Sequence, residues 1–231
     1  GLASGERHSS SDSRNYDAQM EHIKFGMVLG ENGKKLSTRE GKAIKLEDLL
    51  DEIVAKTLQV VKKNNPEMPE AEQKATAEII GIGALKYNDL KENRVSDIVF
   101  NWERMLDFHG DSAPYLQYTA VRLRSVLEKS QIPISKLQAK EENFKWEKTE
   151  IEKSLMKKVL DYTDVVELCA KTNLTSHLAK YLFELAKLSS QYYETVRILD
   201  DENIDRRNGR LFLISSVAQT LTAGLKLLGI A

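Results

Sequence analysis

A short basic loop between two glycines has the residue types needed to hold a polyphosphate. It runs from Gly33 to Gly41 and directly follows a strand-like stretch. Its basic and hydroxyl side chains are Lys34, Lys35, Ser37, Thr38 and Arg39. Ammonium, guanidinium and hydroxyl groups, together with the backbone N–H groups of such a loop, donate hydrogen bonds to phosphate oxygens. A basic loop beside a glycine is also often only a solvated turn, so the loop alone leaves both interpretations open.

A second candidate site lies on one face of a predicted helix. At about 100° per residue, Tyr115, Tyr118 and Arg122 form a stripe. A separate apolar stripe contains Leu116, Ala120, Leu123 and Leu127. Unstacked bases lie on aromatic rings, and arginine pairs with phosphate, so the first stripe suits single-stranded RNA. The alternative is that both tyrosines flank the core and that Arg122 pairs with a carboxylate.

Helical periodicity dominates the elements that must position these residues. Residues 16–45 alone show strand and turn chemistry, with a strand-like run over 22–29 and a turn at Asn32-Gly33. Apolar spacing predicts helices over 46–63, 71–91, 115–129, 149–171, 174–196 and 207–228. Asp111 or Ser112 can cap the third helix, and Pro114 fits its first turn. We therefore expect a mainly all-α fold, a helical bundle from about residue 90 preceded by a short strand and loop.

Composition limits the possible functions. The chain has 34 basic and 35 acidic residues, so it lacks the excess positive charge of a nonspecific polyanion binder. Cys169 is its one cysteine, which rules out an intramolecular disulfide and fits a reducing compartment. No apolar run reaches the roughly 20 residues of a membrane span, so we expect no membrane partner. His109 and His177 have no partners at ligand spacing, so we predict no metal site.

Longer motifs in this chain resemble those of one enzyme family. Residues 35–39 resemble the KMSKS loop of class I aminoacyl-tRNA synthetases, in the form used by arginyl-tRNA synthetases. Residues 111–118, followed by Arg122, are similar to the first helix of the anticodon-binding domain in that family. Further segments match in the same order: 25–29, 81–90, 100–106, 192–194 and 227–230. The resemblance covers about residues 21 to 231.

The resemblance implies that the parent enzyme joins arginine to its tRNA through an arginyl-adenylate made from ATP. It implies a class I catalytic domain before this helical region, with ATP and its Mg²⁺ counterion as the nucleotide and no cofactor integral to this chain. Arginine, ATP and arginine tRNA are the implied partners of a cytoplasmic enzyme, which we expect to be a monomer. The HIGH signature of the family is absent from the sequence. We therefore expect a C-terminal part of a longer synthetase that is inactive by itself.

The resemblance also implies roles for single residues. Lys34, Lys35, Ser37 and Arg39 would contact ATP phosphates, whereas the role of Thr38 is open because many class I enzymes carry a second lysine there. The implied tRNA contacts are Tyr115, Tyr118, Arg122 and Tyr193, with Gln117 and Arg124 as weaker candidates off the tyrosine stripe. Tyr192 competes with Tyr193 for the outward aromatic position. We expect a leader over 1–15, the end of a catalytic domain over 16–90 and the anticodon-binding domain over 91–231.

Two other functions stay open at this point. One is a noncatalytic tRNA-binding paralogue or the related helical module of another synthetase. The other is a helical scaffold that binds protein. The order and length of the matching motifs favour the synthetase. Arg206, Arg207 and Arg210 could face phosphate or could form a salt-bridged surface with nearby acidic residues. Phe100 and Trp102 are expected in the core, because large aromatic residues mostly serve packing.

Overall fold

The computed structural model describes residues 20–30, 33–34, 45–133, 135–136 and 145–230. The predicted leader and most of the basic loop, namely Lys35, Ser37, Thr38 and Arg39, lie outside these residues. In chain order the elements are β1 (Val28–Leu29), α1 (Leu46–Asn64), α2 (Glu70–Leu90), β2 (Ile98–Val99), α3 (Trp102–Met105), α4 (Ala113–Ser130), α5 (Glu150–Leu160), α6 (Tyr162–Thr172), α7 (Ser176–Thr195) and α8 (Ile204–Leu227). The predicted mainly all-α fold is confirmed.

The first region, residues 20–106, is a helix pair beside a small parallel sheet. Val28 pairs with Ile98 and Leu29 with Val99. The strand predicted over 22–29 is therefore wrong in length, because β2 offers a partner only to its last two residues. Helices α1 and α2 approach closely at Gly81, where a Cβ atom would lie 2.9 Å from Thr57 Oγ1. Their joint core is small and consists of Ile53, Ala84, Phe100 and Met105, with Trp102 packed against it.

The bundle, residues 113–230, has a much larger core built by α4, α5, α7 and α8. The apolar stripe predicted on α4 is buried along its whole length, with Leu116 and Leu123 almost without exposure. Ser112 caps α4, because its hydroxyl oxygen accepts from the backbone N–H of Tyr115 at 3.3 Å. Asp111, the other candidate cap, instead accepts from the Tyr87 hydroxyl at 2.6 Å. That bond ties α2 to the start of the bundle.

The single helix predicted over 149–171 is wrong, because the structure contains two helices there. Helix α5 ends at Leu160 and α6 begins at Tyr162. The hydroxyl of Tyr181 donates to the carbonyl of Lys158 at 2.6 Å, which is the acceptor that Tyr162 would use in a continuous helix. A tertiary contact from α7 therefore favours the break. None of the described helices has the length and apolar character needed to cross a bilayer.

Candidate nucleic-acid interface

An arginine and two tyrosines meet on the surface of the bundle. The Cζ atom of Arg122, on α4, lies 4.2 Å from the ring centroid of Tyr193, on α7, and 5.7 Å from that of Tyr118. The exposed fraction is 50% for Tyr118 and 39% for Tyr193. We call these three residues the Arg122 cluster. It presents two partly exposed aromatic rings beside one cation, which are the groups that hold unstacked bases and phosphates.

The guanidinium of Arg122 is held by rings rather than by an acid. Its Nε and Nη2 atoms are buried, and neither has a hydrogen-bond partner among the described residues. The tyrosine faces attract the cation through their quadrupoles. The alternative interpretation, in which Arg122 pairs with a carboxylate, therefore finds no support in the described part of the chain. The two aromatic rings are therefore the contacts that hold this guanidinium in place.

Tyr115 lies on the same side of α4 but is turned toward α7. Its hydroxyl donates to Ser190 Oγ at 3.1 Å, and its ring meets the ring of Phe183 edge-on, 5.9 Å apart. It is half-buried against the bundle core. These contacts fit the core-flanking interpretation of this tyrosine. A direct contact between Tyr115 and RNA stays a prediction.

The two weaker candidates face away from the Arg122 cluster. Gln117 points toward α2, where its Nε2 atom would lie 3.1 Å from a Cβ placed on Gly83. Arg124 reaches α8, and its Nη2 atom donates to Thr222 Oγ1 at 2.7 Å. The helical angles of the sequence indicated this separation. The structure therefore brings together Tyr118, Arg122 and Tyr193 and leaves Gln117 and Arg124 on another face.

The neighbouring tyrosines of α7 have opposite environments. Tyr192 is fully buried and its hydroxyl donates to Glu152 Oε1 at 3.1 Å. Burial, and then the nearby charge of Glu152, raise the pKa of Tyr192 well above its ordinary value. Tyr193 points outward to Arg122. Of the two residues, Tyr193 therefore holds the outward aromatic position, and its contact with RNA stays a prediction.

Behind Tyr192 lies a buried ionic network that the sequence did not reveal. Glu152 has no exposed surface, and its two oxygens accept from Arg210 Nε at 2.7 Å and from the backbone N–H of Thr149 at 2.8 Å. Trp146 Nε1 also donates to it, at 3.3 Å. The Thr149-x-x-Glu152 spacing is a capping-box pattern, which could have predicted the local bond. The pairing with Arg210 depends on tertiary structure alone.

The network lowers the pKa of both of its acids, Asp201 and Glu152, and it pairs Arg206 and Arg210 with them. Asp201 accepts from Arg206 at 2.5 Å and from Arg210 at 2.7 Å, so both arginines belong to a salt-bridged surface rather than to a phosphate patch. The bond from Arg206 is the main cause that lowers the pKa of Asp201 to about 2. Burial raises the pKa of Glu152, but the donors Thr149, Arg210 and Trp146 outweigh burial and hold it below its ordinary value.

The basic loop begins where the short parallel sheet ends. Strand β1 stops at Leu29, and the backbone N–H of Gly30 donates to the carbonyl of Lys34 at 2.8 Å. Gly33 has φ of 70°, a conformation that favours glycine, and its backbone N–H donates to the carbonyl of Gly30 at 2.9 Å, whereas Asn32, the other residue of the predicted turn, lies outside the described residues. The contacts proposed for the rest of the loop stay predictions. Among the described residues, no three His, Cys, Asp or Glu side chains gather in a way that could hold a metal ion.

Two family models match the chain. A model described as the DALR anticodon binding domain matches residues 116–231, and a model described as the catalytic domain of class I (R) tRNA synthetases matches residues 12–102. The expected division of the chain at residue 90 stays a prediction. The Arg122 cluster lies inside the first of these matches.

Relatives and solved structures agree with these models. The arginine–tRNA ligase of Escherichia fergusonii is 40% identical over 211 residues, which are 91% of this chain and 36% of that protein. The structure of Thermus thermophilus arginyl-tRNA synthetase superposes with a TM-score of 0.76 at 27% identity, over 90% of this chain and 34% of the other. The Plasmodium falciparum arginyl-tRNA synthetase gives 0.75 at 25% identity, with the same coverage. The chain thus spans about a third of the curated relatives it matches, and it belongs to the arginyl-tRNA synthetase family.

Proposed function

We propose that this chain is the tRNA-binding region of an arginine–tRNA ligase and that the Arg122 cluster contacts the anticodon arm. The observation that carries the proposal is the position of Arg122 against two outward-facing tyrosine rings within the matched anticodon-binding domain. A flat ring accepts any base on its face, whereas the guanidinium adds directional donors for a phosphate or a base edge. The surface therefore combines affinity from stacking with selection by hydrogen bonding.

For the whole ligase we propose arginine, ATP with its Mg²⁺ counterion and arginine tRNA as substrates, and a monomer acting in the cytoplasm. The chemistry proposed for the basic loop is electrostatic. When the arginine carboxylate attacks ATP, negative charge grows on the departing pyrophosphate, and Lys35 and Arg39 would stabilise that charge. Lys34, Ser37 and the loop N–H groups would hold the phosphates in place.

The catalytic part of the proposal is tested by pyrophosphate exchange. The 231-residue chain alone should show no arginine-dependent exchange between ATP and pyrophosphate, because it carries no HIGH signature. In a longer ligase that contains this sequence, Lys35→Ala should slow adenylate formation far more than it weakens tRNA binding, since the loop acts in the transition state. Unchanged exchange in that variant would remove Lys35 from the role.

The binding part is tested with an anticodon stem-loop of arginine tRNA and a version with a changed middle anticodon base. Tyr118→Ala should weaken binding of the cognate stem-loop by about 1 to 3 kcal/mol through the loss of one stacking partner. The loss should be smaller for the changed stem-loop. Val121→Ala is the matched control, because Val121 is exposed on the same helix but lies outside the cluster.

Arg122→Ala separates a phosphate contact from a base contact. If Arg122 meets a phosphate, the slope of log affinity against log salt should become shallower by about one counterion. If it meets a base edge, the slope should stay and the discrimination between the two stem-loops should fall. Identical behaviour of wild type, Tyr118→Ala and Arg122→Ala toward both RNAs would show that the cluster is not the recognition surface.

A further inference from the structure

The Arg122 cluster depends on the last turn of α7. Tyr193 lies two residues before the end of this helix at Thr195. Terminal turns of helices fray more easily than their interiors, because their last carbonyl groups have no partner within the helix. A tyrosine ring that must stay 4.2 Å from a guanidinium on another helix therefore needs something that fixes this turn.

The buried residue next to Tyr193 provides such an anchor. Tyr192 is fully buried, and its hydroxyl donates to Glu152 on α5. Glu152 is itself held by Arg210 from α8 and by the backbone of Thr149. The phenolic hydroxyl of Tyr192 thus attaches the end of α7 to a carboxylate that is immobilised by Arg210 of α8 and by the N-cap of its own helix. Hydrogen bonds to a charged acceptor of this kind are stronger than bonds between neutral groups.

The chain that leaves α7 is attached to the same group of residues. Arg210 Nη1 donates to the carbonyl of Arg197 at 3.2 Å and to Asp201 Oδ2 at 2.7 Å. Asp201 in turn holds Arg206 and the backbone N–H of Asn203. The network therefore holds the last turn of α7 through Tyr192, and it holds the connection from α7 to α8 through Arg197 and Asp201.

We infer that Glu152, acting through Tyr192, is a positioning residue for Tyr193 and so for the Arg122 cluster. The inference rests on the proposed function of that cluster. Glu152 has no exposed surface and cannot touch RNA, so any effect it has on RNA binding is indirect. It sets the direction of one aromatic ring from the protein interior.

The test is a double-mutant cycle on anticodon stem-loop binding. Tyr192→Phe removes only the hydroxyl and keeps the buried ring. It should weaken binding of the cognate stem-loop about threefold to tenfold, as expected for the loss of part of one charge-assisted hydrogen bond. In a Tyr193→Ala background the same change should have almost no further effect, because the ring it positions is gone.

Tyr181→Phe is the matched control. Tyr181 is also buried on α7, and its hydroxyl also donates to α5, to the carbonyl of Lys158 at 2.6 Å. It lies twelve residues before Tyr193, so its loss should lower the thermal stability of the bundle and leave RNA binding unchanged. A purely structural role for the Tyr192 hydroxyl would make Tyr192→Phe behave like this control.

The outcomes distinguish failure of the positioning role from failure of the proposed function. If Tyr193→Ala weakens binding while Tyr192→Phe has no effect, or has the same effect in both backgrounds, the positioning role is overturned and the proposed function stands. If Tyr193→Ala leaves binding unchanged, Tyr193 does not contact RNA and the inference is overturned, while the proposed function is decided separately by Tyr118→Ala and Arg122→Ala. Weaker binding by Tyr192→Phe that vanishes in the Tyr193→Ala background supports both.

Discussion

The first region and the bundle bury different kinds of residue. The first region packs a few apolar residues between α1, α2 and α3, and it leaves Phe25, Met27, Val28 and Leu46 exposed around its short sheet. The bundle closes a far larger apolar core and also encloses an ionic network. Burying a charge is costly unless it is paired, as Glu152 and Asp201 are here, and apolar area removed from water drives folding. The bundle should therefore carry most of the stability of the chain.

The two regions are joined mainly through α2. Tyr87 is buried near the carboxyl end of this helix, and its hydroxyl donates to Asp111 before α4 and to the carbonyl of Ala179 on α7. Lys86 donates to the carbonyl of Gly229 at 2.7 Å. Helix α2 thus takes part in both regions. The comparison predicts that damage to the bundle core affects the whole chain, whereas damage to the first region stays local.

The largest effect is expected from Leu185→Ala in the bundle core. Leu185 is fully buried on α7, so its truncation should lower the free energy of unfolding by about 2 to 5 kcal/mol through lost burial and the cavity it leaves. Urea denaturation followed by circular dichroism measures it. Leu227→Ala, at an exposed leucine of α8, is the matched control. A change below about 0.5 kcal/mol for Leu185→Ala would mean that this face is not the core.

A smaller and more local effect is expected from Ile53→Ala. Ile53 is fully buried in the first region, but the apolar cluster it belongs to is much smaller than that of the bundle. Its truncation should cost about 2 kcal/mol, the lower end of the range for such changes. Hydrogen exchange should increase in α1 and the first half of α2, while α7 and α8 keep their protection.

Ile79→Ala, at an exposed position of α2, serves as the control for this measurement. Equal loss of protection in α7 after Ile53→Ala would contradict the division, since it would show one cooperative unit in place of two regions of different stability.

A moderate effect is expected from acid, which should lower the stability of the bundle through its ionic network. The folded pKa of Asp201 is about 2, below its ordinary value of 3.8, so its ionised form stabilises the bundle. That stability is complete above about pH 4 and is lost as the pH falls toward about 2. Glu152, whose pKa is also lowered, acts in the same direction.

We therefore expect the bundle to lose stability between about pH 4 and pH 2, and Asp201→Asn to be less stable near neutral pH with a shallower acid dependence. Urea denaturation at several pH values measures both. A variant that is weakened equally at every pH would show that ionisation of Asp201 contributes nothing to stability.

Some features of the fold could be predicted from the sequence, and others depend on contacts between distant residues. The buried stripe of α4 and its Ser112 cap follow from local rules, because helical spacing and capping act within a few residues. The sequence could not decide which of Tyr192 and Tyr193 faces outward. That choice depends on a tertiary contact, the hydrogen bond from the Tyr192 hydroxyl to Glu152. The break at residue 161 was missed, and the contact that favours it comes from Tyr181 on a different helix.

The candidate site divides in the same way. Spacing alone brought Tyr118 and Arg122 to one face and separated Arg124 from them. The sequence named Tyr193 only through family resemblance, because helical angles carry no information about which helix packs beside α4. Glu152 was not found at all, since its partner Arg210 is 58 residues away in the chain.

The smallest effect is expected at the surface of the first region. Glu52 and Lys56 form an i, i+4 ion pair on α1 with an N–O distance of 3.4 Å, and both side chains are well exposed. Water screens such a pair, so Glu52→Gln should cost only about 0.2 to 0.5 kcal/mol. Lys56 keeps its contact with the face of Trp102, at 5.2 Å, in this variant. The difference should vanish near 1 M salt, where the screening length is about 3 Å. A loss that persists in high salt would mean that Glu52 contributes by packing, and the contrast between a screened surface pair here and a buried network in the bundle would then be weaker.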